Sequence, residues 1–278
     1  MLKEINLAVA QISCWVGDKN HNLKTIEKNI KEAKKEGADL VVFPELALTG
    51  YVCRDLVYEL AEAVPNGQSV SQIESIAKRE NVHVIFGMIE KSARANAVLH
   101  NTAVLIGPEG FIGKYRKMYL PTHSVFEEKR YFRPGYQTPV FETKIGKIGL
   151  IICYDVYFPE ITRLLRVKGA QLIACISAVP SIRREFFETL TAARAIENTV
   201  FIAFSNRAGI EDGLQFSGGS RIIAPSGSLI SQAKYDEEDV IMARINYSDT
   251  TRVEAFIPTL RDLRPELFVA LKEEIEHL

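Results

Sequence analysis

Residues 149–160 read GLIICYDVYFPE, and the fold turns on how this stretch is divided. Leu150–Ile152 is uninterrupted apolar sequence, the mark of a strand covered on both faces. Pro159 then stands where the first turn of a helix tolerates proline, with Glu160 beside it. Cys153 is thereby placed at the carboxyl end of a strand and close to a helix start. Free cysteines are ordinarily small buried hydrophobes, and Cys14, Cys53 and Cys175 are read that way. At Cys153 the N–H groups of the nearby helix start are expected to favour a thiolate over the ordinary thiol pKa of ~8.5.

The same design, an apolar strand followed at once by a reactive side chain, occurs twice more. Leu40–Phe43 runs into Pro44-Glu45, and two apolar runs flanking Pro108-Glu109-Gly110 form a hairpin that leads into Lys117. In α/β sheets the carboxyl ends of strands converge on the ligand crevice, so residues distant in sequence can meet there. Desolvation against the Leu40–Phe43 strand would raise the Glu45 pKa towards neutrality, as a general base requires. A basic run such as residues 114–117 is ordinarily a solvated face, but its apolar neighbours allow Lys117 to point inward as an electrophile.

Outward from these segments, strands and helices alternate. Strands are expected at 6–11, 40–43, 82–87, 148–153, 172–176, 200–205 and 240–245. Helices are expected at 22–35, 71–80, 159–168 and 183–197, with Pro225-Ser226-Gly227 turning a second hairpin. Helical crossovers beside hairpins imply two mixed β-sheets packed together with helices outside. Residues 1–248 form one domain on this reading. Residues 249–278, charged with isolated apolar positions, form a C-terminal extension reaching towards a partner subunit. No internal repeat is visible.

Lys and Arg number 34 against 35 Asp and Glu, a net charge of -1. That balance argues against a nucleic-acid partner, and no apolar run reaches the ~20 residues of a membrane span. The first residues do not read as a signal peptide, and four scattered cysteines without a C-x-x-C pair point to a reducing cytoplasm. The five histidines form no metal-ligand pattern, and there is no phosphate loop or G-x-S-x-G elbow. No metal or cofactor is expected.

Taken in order, FPELALTGY (43–51), KYRKMYLP (114–121), FEEKRYFRPG (126–135) and GLIICYDVYFPE (149–160) resemble the nitrilase superfamily of carbon–nitrogen hydrolases. SNRAG (205–209) and GGSRIIAPSGSLI (218–230) are similar to it too, and the likeness spans roughly residues 5–245. The resemblance implies a four-layer αββα sandwich that dimerises into a larger sandwich or a higher homo-oligomer. It implies a catalytic triad of Glu45, Lys117 and Cys153, and a second glutamate at Glu128, with the adjacent Glu127 leaving that register open by one. The Lys117 ammonium and the Tyr154 N–H would form the oxyanion hole, and the 178–180 loop, with Ala178 and Val179, would touch substrate.

The implied activity is hydrolysis of a small linear amide or carbamoyl amide to acid and ammonia through a cysteine thioester. Nitrile hydrolysis, acyl transfer to an amine and a non-catalytic binding role are the alternatives. The length leaves no room for a fused synthetase domain. Val156 and Tyr157 stand where some carbamoyl-amino-acid hydrolases carry two arginines, which weighs against that branch. Arg183 and Arg184 could bind an anion, but as a helix start they read first as solvated.

Overall fold

The computed structural model describes residues 3–277. Strand β1 (Glu4–Gln11), helix α1 (Lys19–Lys35) and strand β2 (Leu40–Val42) open the first half. Helices α2 (Val57–Leu60) and α3 (Gln68–Glu80) lead to β3 (His83–Lys91) and the hairpin β4 (Leu99–Gly107)–β5 (Gly110–Arg116). A one-turn helix α4 (Glu128–Tyr131) precedes β6 (Val140–Thr143), β7 (Gly146–Ile152), α5 (Pro159–Val167) and β8 (Leu172–Ser177). Then come α6 (Arg184–Asn198), β9 (Phe201–Asn206) and the ribbon β10 (Ala208–Glu211)–β11 (Leu214–Ser217). Strands β12 (Arg221–Ile223), β13 (Leu229–Gln232) and β14 (Asp239–Asn246) are followed by α7 (Ser248–Phe256) and α8 (Pro265–Ile275).

Two six-stranded mixed sheets result, ordered β14-β1-β2-β3-β4-β5 and β13-β12-β9-β8-β7-β6. Each has three parallel strands at its centre, β1-β2-β3 in one and β7-β8-β9 in the other, and antiparallel strands outside. The two halves share this plan although the sequence shows no repeat, because only the apolar pattern, not residue identity, has to match.

Side-chain alternation builds the layers. Leu7, Val9, Leu40 and Val42 join the core shared with the second sheet. Ala8, Ala10, Val41 and Phe43, pointing the opposite way, pack with Ile26 and Ile30 of α1 and Ile73 and Ile76 of α3. Ile161 and Leu165 of α5 and Phe187 and Ala195 of α6 cover the other sheet. The order is helices, sheet, sheet, helices: the expected four-layer sandwich.

Several boundaries differ from expectation. Helix α1 starts at Lys19, not residue 22, because Asp18 accepts the His21 N–H as an N-cap. Strand β3 continues to Lys91 because its buried Glu90 is neutralised by Lys114 and Arg116 from β5, each at 2.6 Å, so a charged position sits inside the sheet. In the 249–278 stretch the two helices differ. Thr250 of α7 is buried and Glu254 pairs with Arg166 of α5, whereas α8 has no buried residue. No helix among the described residues is long and apolar enough to cross a membrane.

The carboxyl ends of β2, β7 and β8 open onto one edge, where Glu45, Cys153 and Ala178 follow them in the chain. The Glu45 segment lies directly across β3. A Cβ at Gly87 would stand 2.3 Å from the Leu46 amide nitrogen and 2.8 Å from the Glu45 Cα. Both obstacles are backbone and cannot turn aside. Gly87→Ala is therefore expected to displace that segment and cost about 1–3 kcal/mol, as overpacking does. Denaturant titration checks this, and an unchanged midpoint at unchanged slope would contradict the packing.

Candidate active site

The centre of the site is a buried ion triplet. Lys117 Nζ lies 2.7 Å from Glu45 Oε1 and 2.6 Å from Glu128 Oε1, and the two groups Lys117 and Glu45 are fully buried. Lys117 arrives immediately after β5, Glu45 three residues after β2 by way of Phe43 and Pro44, and Glu128 on the single turn of α4. Glu127, its neighbour, is exposed, so of the two it is Glu128 that meets Lys117.

The remaining acceptor sites of Glu45 are also used. Asn101 Nδ2 donates to Oε1 at 2.7 Å and the Ala178 N–H donates to Oε2 at 2.9 Å. Ala178 thus docks the Glu45 carboxylate from the end of β8. On Glu128, the Tyr51 hydroxyl donates to Oε1 at 2.7 Å while Oε2 is buried without a partner.

Electrostatics follow from this crowding. Burial alone pulls the Lys117 ammonium down, but Glu128 and Glu45 outweigh it and hold its pKa well above the ordinary value. Burial pushes Glu128 up to about 7, with Lys117 opposing and Glu45 adding to the rise. The pair of carboxylates around one ammonium carries an excess negative charge, and protonation of Glu128 is how it is relieved.

Cys153 sits in direct electrostatic range of all three. Burial, then the Glu45 charge, raises its pKa well above the ordinary thiol value, and Lys117 only partly offsets this. The thiolate expected from a helix start is not what the site holds. The short 3-10 turn Cys153–Tyr157 begins at Cys153 itself, and the cost of holding a charged thiolate away from water exceeds what that turn supplies. The resting group is a thiol, and a base has to take its proton.

Cys153 adopts φ 47°, the left-handed region, which costs a β-carbon-bearing residue of order 1–3 kcal/mol. Asp155 holds the turn in place. Its Oδ2 accepts the Ile152 N–H at 2.9 Å and the Tyr115 hydroxyl at 2.7 Å, and its Oδ1 accepts the Tyr119 N–H at 3.0 Å. One carboxylate thus ties the Cys153 turn to the segment that carries Lys117. Burial raises the Asp155 pKa to about 6, against the pull of Lys117.

In front of Cys153 lies a narrow pocket walled by Pro121, His123, Phe126, Tyr154, Tyr157, Val179, Pro180, Arg183 and Phe187. The structure separates the two arginines that the sequence placed together. Arg183 lines this pocket, whereas Arg184 lies over the Tyr235 ring at 4.4 Å from its centroid. Tyr154 stands between His123 and Tyr157 in an aromatic cluster with centroid distances of 5.4 and 5.3 Å. The Val179 N–H is held by Asn206 Oδ1 at 2.8 Å, which fixes the loop after β8.

Sequence reading thus missed Asn101, Tyr51, Asp155 and Asn206 as site-building residues. Asn101 and Asn206 carried a signal, a side-chain amide inside an otherwise apolar strand, which must find partners when buried. Tyr51 carried none.

The arrangement has counterparts in known proteins. The family model for carbon-nitrogen hydrolases matches residues 6–255. A nitrilase of Pyrococcus abyssi is 38% identical over 245 residues, covering 87% of this chain and 90% of that protein. A 2-oxoglutaramate amidase of Bacillus subtilis is 33% identical, covering 94% of this chain and 98% of its own. An amidase of Nesterenkonia, solved with the acetamide moiety of fluoroacetamide attached covalently at its active-site cysteine, superposes with a TM-score of 0.83 at 28% identity, covering 96% of each chain. On these matches the chain belongs to the carbon-nitrogen hydrolase family, the nitrilase superfamily, and is an enzyme of amide carbon–nitrogen bond hydrolysis.

Proposed function

We propose that the protein hydrolyses a small linear primary amide whose acyl part carries an anionic group, releasing ammonia. The observation that carries this reading is the placement of Arg183. It is the one permanently charged side chain among the described residues lining the Cys153 pocket, whose other walls are mostly apolar or aromatic. A guanidinium there recognises a carboxylate through paired hydrogen bonds. The relation to a 2-oxoglutaramate amidase supports the same substrate type.

In the mechanism, Glu45 accepts the Cys153 proton as sulfur attacks the amide carbonyl carbon. The oxyanion that forms is stabilised by the Lys117 ammonium and the Tyr154 backbone N–H. Glu45 returns the proton to the amide nitrogen, the carbon–nitrogen bond breaks, and ammonia leaves a thioester on Cys153. Water, deprotonated by Glu45, attacks the thioester, and its proton passes to the departing sulfur. The acid leaves and the resting thiol is restored, with no group outside the chain and water consumed.

The active unit is a homodimer. Leu164 and Val167 of α5 and Ile196 of α6 are large apolar side chains exposed on the outer helical layer, and Leu267 and Phe268 of α8 are exposed too. A second copy covering the α5–α6 face would bury Leu164, Val167 and Ile196. Four cysteines free and buried suit a reducing cytoplasm.

Ammonia release across amides, ureido acids and nitriles tests the reading. Cys153→Ala is expected to stay folded by circular dichroism and to lose all turnover; a folded, fully active variant ends the assignment. Arg183→Ala is expected to lower kcat/KM for a carboxylate-bearing amide by about 10–100-fold while leaving a neutral amide of equal length nearly unchanged, the size of a lost charged hydrogen bond. Equal losses for both substrates would remove Arg183 from recognition. Sedimentation velocity at micromolar concentration should show a dimer, and a persistent monomer would refute the interface.

A further inference from the structure

Glu211, at the end of β10, lies outside the reacting centre, yet its carboxylate is buried. Its Oε2 accepts the backbone N–H groups of Tyr51 and Val52, each at 2.9 Å. Its Oε1 pairs with Arg207, a fully buried guanidinium. Arg207 in turn lies over the Phe216 ring, 4.6 Å from its centroid, and Phe216 meets the Tyr51 ring edge-on at 6.1 Å. The Tyr51 hydroxyl then donates to Glu128, which holds Lys117.

We infer that Glu211 is a positioning residue for amide hydrolysis: by clamping the Tyr51 and Val52 amides it fixes the Tyr51 hydroxyl on Glu128 and so sets the pH at which Glu128 ionises. The clamp grips where the loop has little else. Up to Gly50 this loop is held by backbone bonds to β3 and by its own turn, such as Leu48 N to Gly87 O and Gly50 N to Leu46 O. At Tyr51 and Val52 the side chain of Glu211 receives the N–H groups instead. Gly50 is left-handed at φ 80°, and a Cβ there would meet Val16 backbone at 2.8 Å and Glu211 Oε1 at 3.1 Å, so the turn closes tightly onto this carboxylate.

The groups that face Glu128 are Lys117 from the segment after β5, Glu45 from the segment after β2, and Tyr51 from the loop end. Lys117 and Tyr51 stabilise the ionised form and Glu45 opposes it. Moving the Tyr51 hydroxyl away therefore raises the Glu128 pKa. The sign carries through to turnover. Ionised Glu128 is the form that holds the Lys117 ammonium in line, so the acid limb of the profile moves to higher pH when the hydroxyl is lost. A wholly structural role for the Arg207–Glu211 pair would lower stability without moving that midpoint.

This inference rests on the amide-hydrolase reading for its kinetic consequence, but its first readout needs no substrate. Carbon-13 NMR of Glu-labelled protein, with the Glu128 carboxyl assigned by Glu128→Gln, gives the Glu128 midpoint in wild type, Tyr51→Phe, Glu211→Asp and the double variant. Glu211→Asp keeps the charge beside Arg207 and withdraws the carboxylate by one methylene. The midpoint is expected to rise by roughly one pH unit in each single variant, the equivalent of one hydrogen bond to a charged group. In the double variant it should rise no further, and the acid limb of kcat/KM should move with it.

A folded Glu211→Asp protein that keeps the wild-type midpoint, or shifts that add fully in the double variant, would overturn the proposal. If Glu211→Asp does not fold, the variant Arg207→Met/Glu211→Leu, which leaves no buried unpaired charge and no side-chain acceptor for the Tyr51 and Val52 N–H groups, takes its place under the same criteria. Loss of the fold there too would assign the pair to stability alone and overturn the proposal. Should wild-type protein hydrolyse no amide while the midpoints behave as stated, it is the substrate reading that fails and not this one.

Discussion

An ammonium buried between two carboxylates is an arrangement that water would dissolve and that only a surrounding protein can maintain. Removing one partner of such a pair typically costs 3–5 kcal/mol, because the group left behind is a charge with nothing to face. Lys117, Glu45 and Glu128 come from three separate elements, so the cost of separating them is also a cost of moving β2, β5 or α4 relative to one another. The charge cluster therefore does structural work on the sandwich while it prepares the site. The excess negative charge falls on Glu128, the member whose pKa burial brings to about 7, and leaves Lys117 firmly protonated.

The second constraint is conformational. Cys153 sits in the left-handed region within electrostatic range of the charge cluster, and such a residue persists only where its neighbours over-determine it. Asp155 supplies that by binding the Ile152 amide on one side and the Tyr115 hydroxyl and Tyr119 amide on the other. Strain at the sulfur and burial of Asp155 are thus two parts of one arrangement. The register between the nucleophile and Lys117 is fixed by a single carboxylate that never reacts. On the proposed mechanism, the same burial that favours a thiol at Cys153 gives Glu45 its task, since a pre-formed thiolate would leave the base with no proton to remove in the first step.

How much of this could be read in the sequence depends on which physical rule each feature obeys. The apolar strands and their carboxyl-end residues were legible because covered strands must be apolar on both faces. This placed Glu45, Lys117 and Cys153 on one edge before any coordinate was known. The layer order followed from the same runs. Boundaries failed where a polar residue was satisfied by partners remote in sequence, as at Glu90 in β3, or where a cap set the start, as at Asp18. The thiol state of Cys153 was misjudged because helix proximity is local and readable, whereas burial by Phe126, Val179 and their neighbours is not. Tyr51, Glu211 and Arg207 were invisible for a related reason. Each acts through a contact between the two halves of the sandwich, and nothing in a single chain of letters marks which surface loop will meet which.

That last class of contact bears on how the family chemistry is tuned. The reacting groups are set by strand ends and tolerate little change, since a shift in any one disturbs the buried charges. The 178–183 segment and the β10–β11 ribbon lie around them and obey weaker constraints. Arg183 reaches the pocket from a loop, and Glu211 reaches Tyr51 from the ribbon, so either can change without rebuilding the triplet. On the proposed roles of Arg183 and Glu211, substrate choice and working pH can therefore vary independently of Cys153. The chemistry at Cys153 is written into the sheets, and what it is offered, and at which pH, is written into the loops that lean on them.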